Sequence, residues 1–178
     1  GSLWTRVFTS TDPLRAVTTS GGIHLAVGNA GTVLRSTDAM TWTAVTVAGV
    51  GGAELLTGAA YGGGVFTFTS STYGGVKVFS SIDGTSWVDR SSGTGLASDQ
   101  TLWKIAWLND RFVTSGWNSK MRTSTDGAQT FITTRNNIEV TPALAYGDGI
   151  YFAAGVDKSA ADANVDLLSL DGVTWYPF

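Results

Sequence analysis

The chain has no cysteine, which excludes a disulfide framework and any thiolate-bound metal. It has one histidine, His24, in a sequence column otherwise held by Phe66, Phe112 and Tyr151. That placement reads as a substituted core aromatic, and it argues against a Ser/His/Asp triad. Charge is scarce: charged residues make up 14% of the chain, against roughly 25% in an average protein. Ser, Thr, Asn and Gly must wet the surface instead. The net charge is −3, with no basic cluster, so nucleic acid and anionic membranes are poor partners. No apolar run approaches the ~18 residues of a membrane-spanning helix, and helical periodicity is missing throughout. The N-terminus shows no signal-peptide pattern, and Gly1-Ser2 reads as a cloning remnant.

Repetition is what the sequence has in abundance. Ser81-Ile82-Asp83-Gly84-Thr85-Ser86-Trp87 matches Ser36–Trp42 and Ser169–Trp175, and Ser124–Phe131 is a fourth copy with one extra residue and Phe for Trp. The four aspartates, Asp38, Asp83, Asp126 and Asp171, are 45, 43 and 45 residues apart, a period that signals a repeat architecture. Each box reads as a turn between strands. Asp and Ser hydrogen-bond nearby N–H groups, Gly supplies a positive φ, and the aromatic residue opens the next strand.

These boxes resemble the Asp-box (BNR) repeats of β-propellers found in sialidases, sortilin-type receptors, some glycoside hydrolases and phage receptor-binding proteins. The resemblance implies an all-β propeller in which the box residues (Ser36, Asp38, Trp42, Ser81, Asp83, Trp87, Ser124, Asp126, Phe131, Ser169, Asp171 and Trp175) are structural. The sialidase activity is not implied, because the chain lacks an Arg-Ile-Pro segment and has too few blades.

A gapless fifteen-residue block precedes each box: Leu14–Gly28, Leu56–Ser70, Leu102–Gly116 and Thr141–Gly155. Each copy reads as two strands about a short turn, such as Gly62-Gly63-Gly64 or Gly147-Asp148-Gly149. Large residues (Val17, Ala59, Ile105, Leu144, then Thr19, Tyr61, Trp107, Tyr146) fill one face of the first strand. Small ones (Gly58, Ala60, Ala143, Ala145) fill the other, as sheets packed face to face require. Lys104 breaks the small column. A third strand leads into each box and a fourth leaves it, predicting four antiparallel four-stranded blades in one domain over 1–178. The blades cover approximately 14–47, 54–90, 100–134 and 139–178, with 3–8 as an extra outer strand. A fifth post-box-type strand leaves three arrangements open. They are a ring of four closed by a clasp, which the small inner strands favour, a segment of a larger propeller, and a dimer that exchanges the extra strand.

The loops joining second to third strands and blade to blade fall on one face, where binding usually resides. Tyr73, Trp117, Asn118, Arg135, Asn136, Asp157 and Lys158 lie there, an aromatic and amide mixture suited to sugar; the alternative for Trp117 is packing between blades. Asp12, Glu54, Gln100 and Glu139 hold equivalent positions two residues before the blocks. They could ring the channel mouth around Ca²⁺ or Na⁺, or each could cap its own loop. The composition and the resemblance together point to a non-catalytic binding or display module, extracellular or virion-associated, as expected of a phage or bacterial surface protein. Its expected partner is a glycan or a surface protein. The alternatives are an assembly scaffold or an engineered propeller, and thirdly a glycosidase acting through Glu54 and Glu139.

Overall fold

The computed structural model describes residues 6–72, 75–93, 101–116, 119–157 and 163–178. Blade one is the sheet β1 (Leu14–Ser20), β2 (Ile23–Gly28), β3 (Val33–Ser36) and β4 (Thr43–Ala44). Blade two follows with β5 (Leu56–Gly62), β6 (Val65–Thr72), β7 (Gly75–Ser81) and β8 (Val88–Asp89). Blade three begins with β9 (Lys104–Leu108), β10 (Arg111–Ser115) and β11 (Ser119–Ser124). One long strand, β12 (Ile132–Gly147), ends blade three and starts blade four, which β13 (Ile150–Asp157), β14 (Ala163–Ser169) and β15 (Tyr176–Pro177) complete. All pairings are antiparallel between chain neighbours. The ten-residue connection from Phe131 to Thr141 is therefore strand for most of its length, with Ser119 opposite Ile138 and Glu139 opposite Val156. Arg6 to Phe8, the described part of the outer strand expected over 3–8, belongs to no strand; Phe8 instead lies 6.5 Å from Trp42, ring to ring.

The boxes fold by local hydrogen bonding. Asp83 Oδ1 accepts the backbone N–H of Thr85 and of Ser86, both at 2.8 Å, and the Ser81 hydroxyl at 2.9 Å. Asp38 and Asp171 repeat the pattern on residues 40–41 and 173–174. Gly84, Gly127 and Gly172 take positive φ, as does Ala39 in the first box, where the sequence has no glycine to relieve the left-handed strain. The third box carries its extra residue by moving the bond register to Gln129 and Thr130. Donors converging on each carboxylate favour its charged form. The backbone N–H groups of Thr41 and Met40 lower Asp38 from 3.8 to about 2, and those of Ser86 and Thr85 lower Asp83 further.

A carboxylate depressed in the folded state stabilises the fold above its unfolded value and loses that contribution as pH falls through its folded one. The melting midpoint is therefore expected to drop as pH falls from about 4 to about 2. Asp83→Ala should lower the midpoint at pH 7 by about 2–4 °C and flatten the acid slope. An acid slope identical to that of the unsubstituted protein would remove the box from the account.

Three apolar layers hold the blades face to face. Blades one and two bury Val27, Val33, Leu56, Phe68 and Phe79 between them. Ala60, Val78, Ile105 and Phe112 lie between two and three, and Val113, Met121, Tyr151 and Leu167 between three and four. No such layer joins blade four to blade one among the described residues. The closed ring expected from the small inner strands is not formed: the sheets make an open arc. The small residues serve another purpose. A Cβ on Gly58 would stand 2.8 Å from the Ile105 backbone nitrogen, and one on Gly62 would stand 1.8 Å from the Trp107 ring. They let neighbouring inner strands approach closely, which sets spacing between blades rather than the number of blades.

Candidate binding surface

The first strands β1, β5, β9 and β12 border the central space. Three of them carry an irregularity in register, between Leu14 and Ala16 in blade one, Leu56 and Gly58 in blade two, and Glu139 and Ala143 in blade four, whereas β9 pairs with β10 in unbroken register from Lys104 to Leu108. In blade three, Gly116 packs on Leu102 as Gly28 packs on Leu14, each so close that a Cβ would strike the preceding carbonyl. The extra residue of such a bulge is freed from the alternation of the strand and can be re-aimed. Those residues are Arg15 and Thr57; Trp103 holds the same block position in blade three, where its backbone N–H donates to the Ser115 carbonyl at 3.0 Å. Thr57 turns its hydroxyl to the Leu102 carbonyl and ties blade two to blade three. Arg15 is exposed and donates through Nε to the Asn29 side chain. Trp103 is 38% exposed, high for an indole in a chain with several buried rings.

Lys104, beside Trp103, faces the channel. It borders a cavity of about 540 Å³ that it shares with Arg15, Leu14, Val17, Trp42 and Ala59. On its other side it borders one of about 250 Å³ with Ala143, Ala145, Phe152, Asp166 and Phe178. Two cations, Arg15 and Lys104, thus share an aliphatic-walled cavity, and the exposed Trp103 is the chain neighbour of Lys104. The break in the small column was legible in the sequence. Trp103 was not, because it precedes β9 and its exposure does not follow from strand alternation.

Three of the expected binding residues, Arg135, Asn136 and Asp157, fall among the described ones. Arg135, half-buried in β12, donates through Nη1 to the Trp175 carbonyl at 2.9 Å and bridges blades three and four. Asn136 lies on β12 and Asp157 ends β13; Tyr73, Trp117, Asn118 and Lys158 lie outside the described residues. Of the expected oxygen ring, Gln100 also lies outside them, and Glu139 sits on β12 opposite Val156. Asp12 accepts a hydrogen bond from the Thr11 hydroxyl at 3.1 Å. Glu54 is buried and bonded to Lys77 Nζ and the Ser70 hydroxyl, while Lys77 also holds the Gly49 carbonyl at 2.7 Å. Glu54 therefore fixes the connection between blades one and two. Among the described residues no three His, Asp or Glu side chains gather as metal ligands. His24 sits beneath Trp42, with 6.4 Å between ring centroids, and its Nδ1 is 2.9 Å from the Thr19 hydroxyl.

No protein-family model matches the sequence, and no curated protein does. Solved structures do. A structure described as YCF48 bound to D1 peptide is 15% identical, with a TM-score of 0.69 over 94% of this chain and 55% of that one. The WD40 β-propeller domain of Doa1 is 13% identical, with a TM-score of 0.62 over 96% of this chain and 56% of that one. The GH74 enzyme of Niastella koreensis is 17% identical, with a TM-score of 0.62 over 92% of this chain and 24% of that one. The chain thus spans about half the length of the first two. At these identities the likeness shows a fold, and the fold is an all-β propeller whose four blades form an unclosed arc.

Proposed function

We propose that this chain is a non-catalytic binding propeller that takes a glycan or another cell-surface ligand at the loop-face mouth of its channel, outside the cell or on a virion. The observation that carries the reading is the cavity that Lys104 shares with Arg15, with the exposed Trp103 next to Lys104 in the chain. An indole stacks on the apolar face of a sugar, while cations hold hydroxyls or the carboxylate of an acidic sugar. The low-charge, Ser/Thr/Gly-rich surface and the resemblance of the boxes to Asp-box repeats support the same reading. A second reading, an assembly scaffold, draws on the apolar faces at the two ends of the arc.

A glycan array on the intact chain separates the two. We expect binding to a restricted set of sugars, acidic ones favoured. Trp103→Ala should weaken it on the order of tenfold or more, the equivalent of about 1.4 kcal/mol, and Lys104→Gln should selectively lower affinity for the acidic members. Melting midpoints should stay within a few degrees. Unchanged affinity in both variants, with loss in Trp117→Ala, would move the site to the loop tips. No binding to any sugar would leave the scaffold reading.

A further inference from the structure

The two end faces of the arc carry the same block positions that meet at each internal boundary. Each internal boundary repeats the same fit, in which the box turn of one blade sits on the start of the second strand of the blade before it. The Gly84 turn packs on Ile23 and Leu25, the Gly127 turn on Val65, and the Gly172 turn on Arg111. Ile23, Val65 and Arg111 hold the same position in the fifteen-residue block. The fourth residue at that position is Ile150, and no turn sits on it among the described residues. In its place is a cavity of about 430 Å³ lined by Ile150, Leu168, Leu170 and Tyr176.

The block position two residues further on behaves likewise. Leu25, Thr67 and Val113 are each exposed by 1% or less, whereas Phe152 is 38% exposed. At the other end, Val17 is 68% exposed although its counterpart Ile105 is 1% exposed. The only box turn without a preceding blade beneath it is the first, around Ala39 and Met40. Blade four thus presents a seat, and blade one presents what fits three such seats elsewhere in the molecule.

We propose that a second copy of this chain occupies the seat. The first box turn of each copy docks on Ile150 and Phe152 of the other, so that two arcs of four blades close into one ring of eight. Three features favour a second copy over closure within one chain. The four blades form an unclosed arc. They superpose on about half the length of two longer propeller chains. A heterologous contact used twice about a twofold axis closes without leaving an exposed end. Docking would bring the cavity beside Val17 and Trp42 against the one beside Ala143 and Phe152, with Lys104 bordering both.

The absence of native cysteine makes the test direct. Gly58 touches Ile105 across an internal boundary, and the equivalent pair across the proposed contact is Ala143 with Val17. In the double variant Val17→Cys/Ala143→Cys, mild oxidation should give a covalent dimer on a non-reducing denaturing gel, while each single variant stays monomeric there. The unsubstituted protein should show twice its 18.6 kDa mass by light scattering. Phe152→Asp, at the outer face of blade four, should return the mass to one chain with an unchanged circular dichroism spectrum. A mass of one chain at all concentrations would overturn the proposal. So would loss of both thiols in the double variant without a dimer band, which would mean that the ring closes on itself, or a mass that grows beyond two chains, which would mean an open assembly.

Discussion

Phe68→Ala is expected to lower the unfolding free energy by about 3–5 kcal/mol, the usual cost of emptying a large aromatic site. Phe68 is wholly buried on the face of blade two that meets blade one. Its ring stacks on Phe79 at 5.0 Å and tilts against Trp87 at 4.5 Å, centroid to centroid. It sits opposite Ala59 on β5 and opposite Phe79 on β7. No neighbour can collapse into the void, because the rings around it are fixed by strands on both sides. Domains of this kind hold about 5–15 kcal/mol in total, so the loss is a large share of the stability. It should appear as a melting midpoint lower by about 6–20 °C and a reduced denaturant midpoint at nearly constant slope. A broadened or biphasic transition would mean that blade one uncouples first, as nearest-neighbour packing in a repeat array allows. Ile82→Ala, at an exposed box position, is the control and should move stability by less than about 0.5 kcal/mol. A Phe68→Ala loss as small as the control's would contradict the packing described.

Gly116→Ala is the second large effect, at about 1–3 kcal/mol. A Cβ there would lie 2.0 Å from the Thr101 carbonyl oxygen and 2.8 Å from the Leu102 Cα. Both are backbone atoms, so relief requires the chain entering β9 to move. That chain carries Trp103, at the position that the bulged residues Arg15 and Thr57 hold in blades one and two. The variant should therefore lose stability and ligand affinity together, and its tryptophan emission should shift. Gly28→Ala meets Pro13 in the same way, at 2.2 Å from its carbonyl oxygen, and should destabilise blade one without touching Trp103. Gly52→Ala, with open space around its Cβ, should be neutral. Affinity unchanged in Gly116→Ala despite lost stability would separate the close packing at Gly116 from binding.

The contrast between the boxes and the channel mouth explains how much could be read from the residues. The box turn is closed by bonds from Asp83 to residues two and three positions on, so its geometry is written in consecutive letters and its recurrence gives the fold. The blade hairpins are equally local, and the large and small columns of the first strands follow from strand alternation. Trp103 lies just before β9, outside that alternation, where the chain entering the strand packs closely on Gly116 across the sheet. Glu54 looked like a channel ligand because its register matches that of Glu139. Only the fold brought Lys77, 23 residues away, to its carboxylate.

The sequence by itself determined the repeat, the four-stranded blade, the turn chemistry and which columns face neighbouring blades, because each depends on residues near in the chain or on a fixed period. Tertiary structure decided whether the ring closes and where the exposed chemistry gathers. Closure depends on the angle between blades summed over three interfaces, and each angle is fixed by side chains from strands some 45 residues apart. The turn between neighbouring blades in a ring of four is twice that in a ring of eight, and no single residue encodes it.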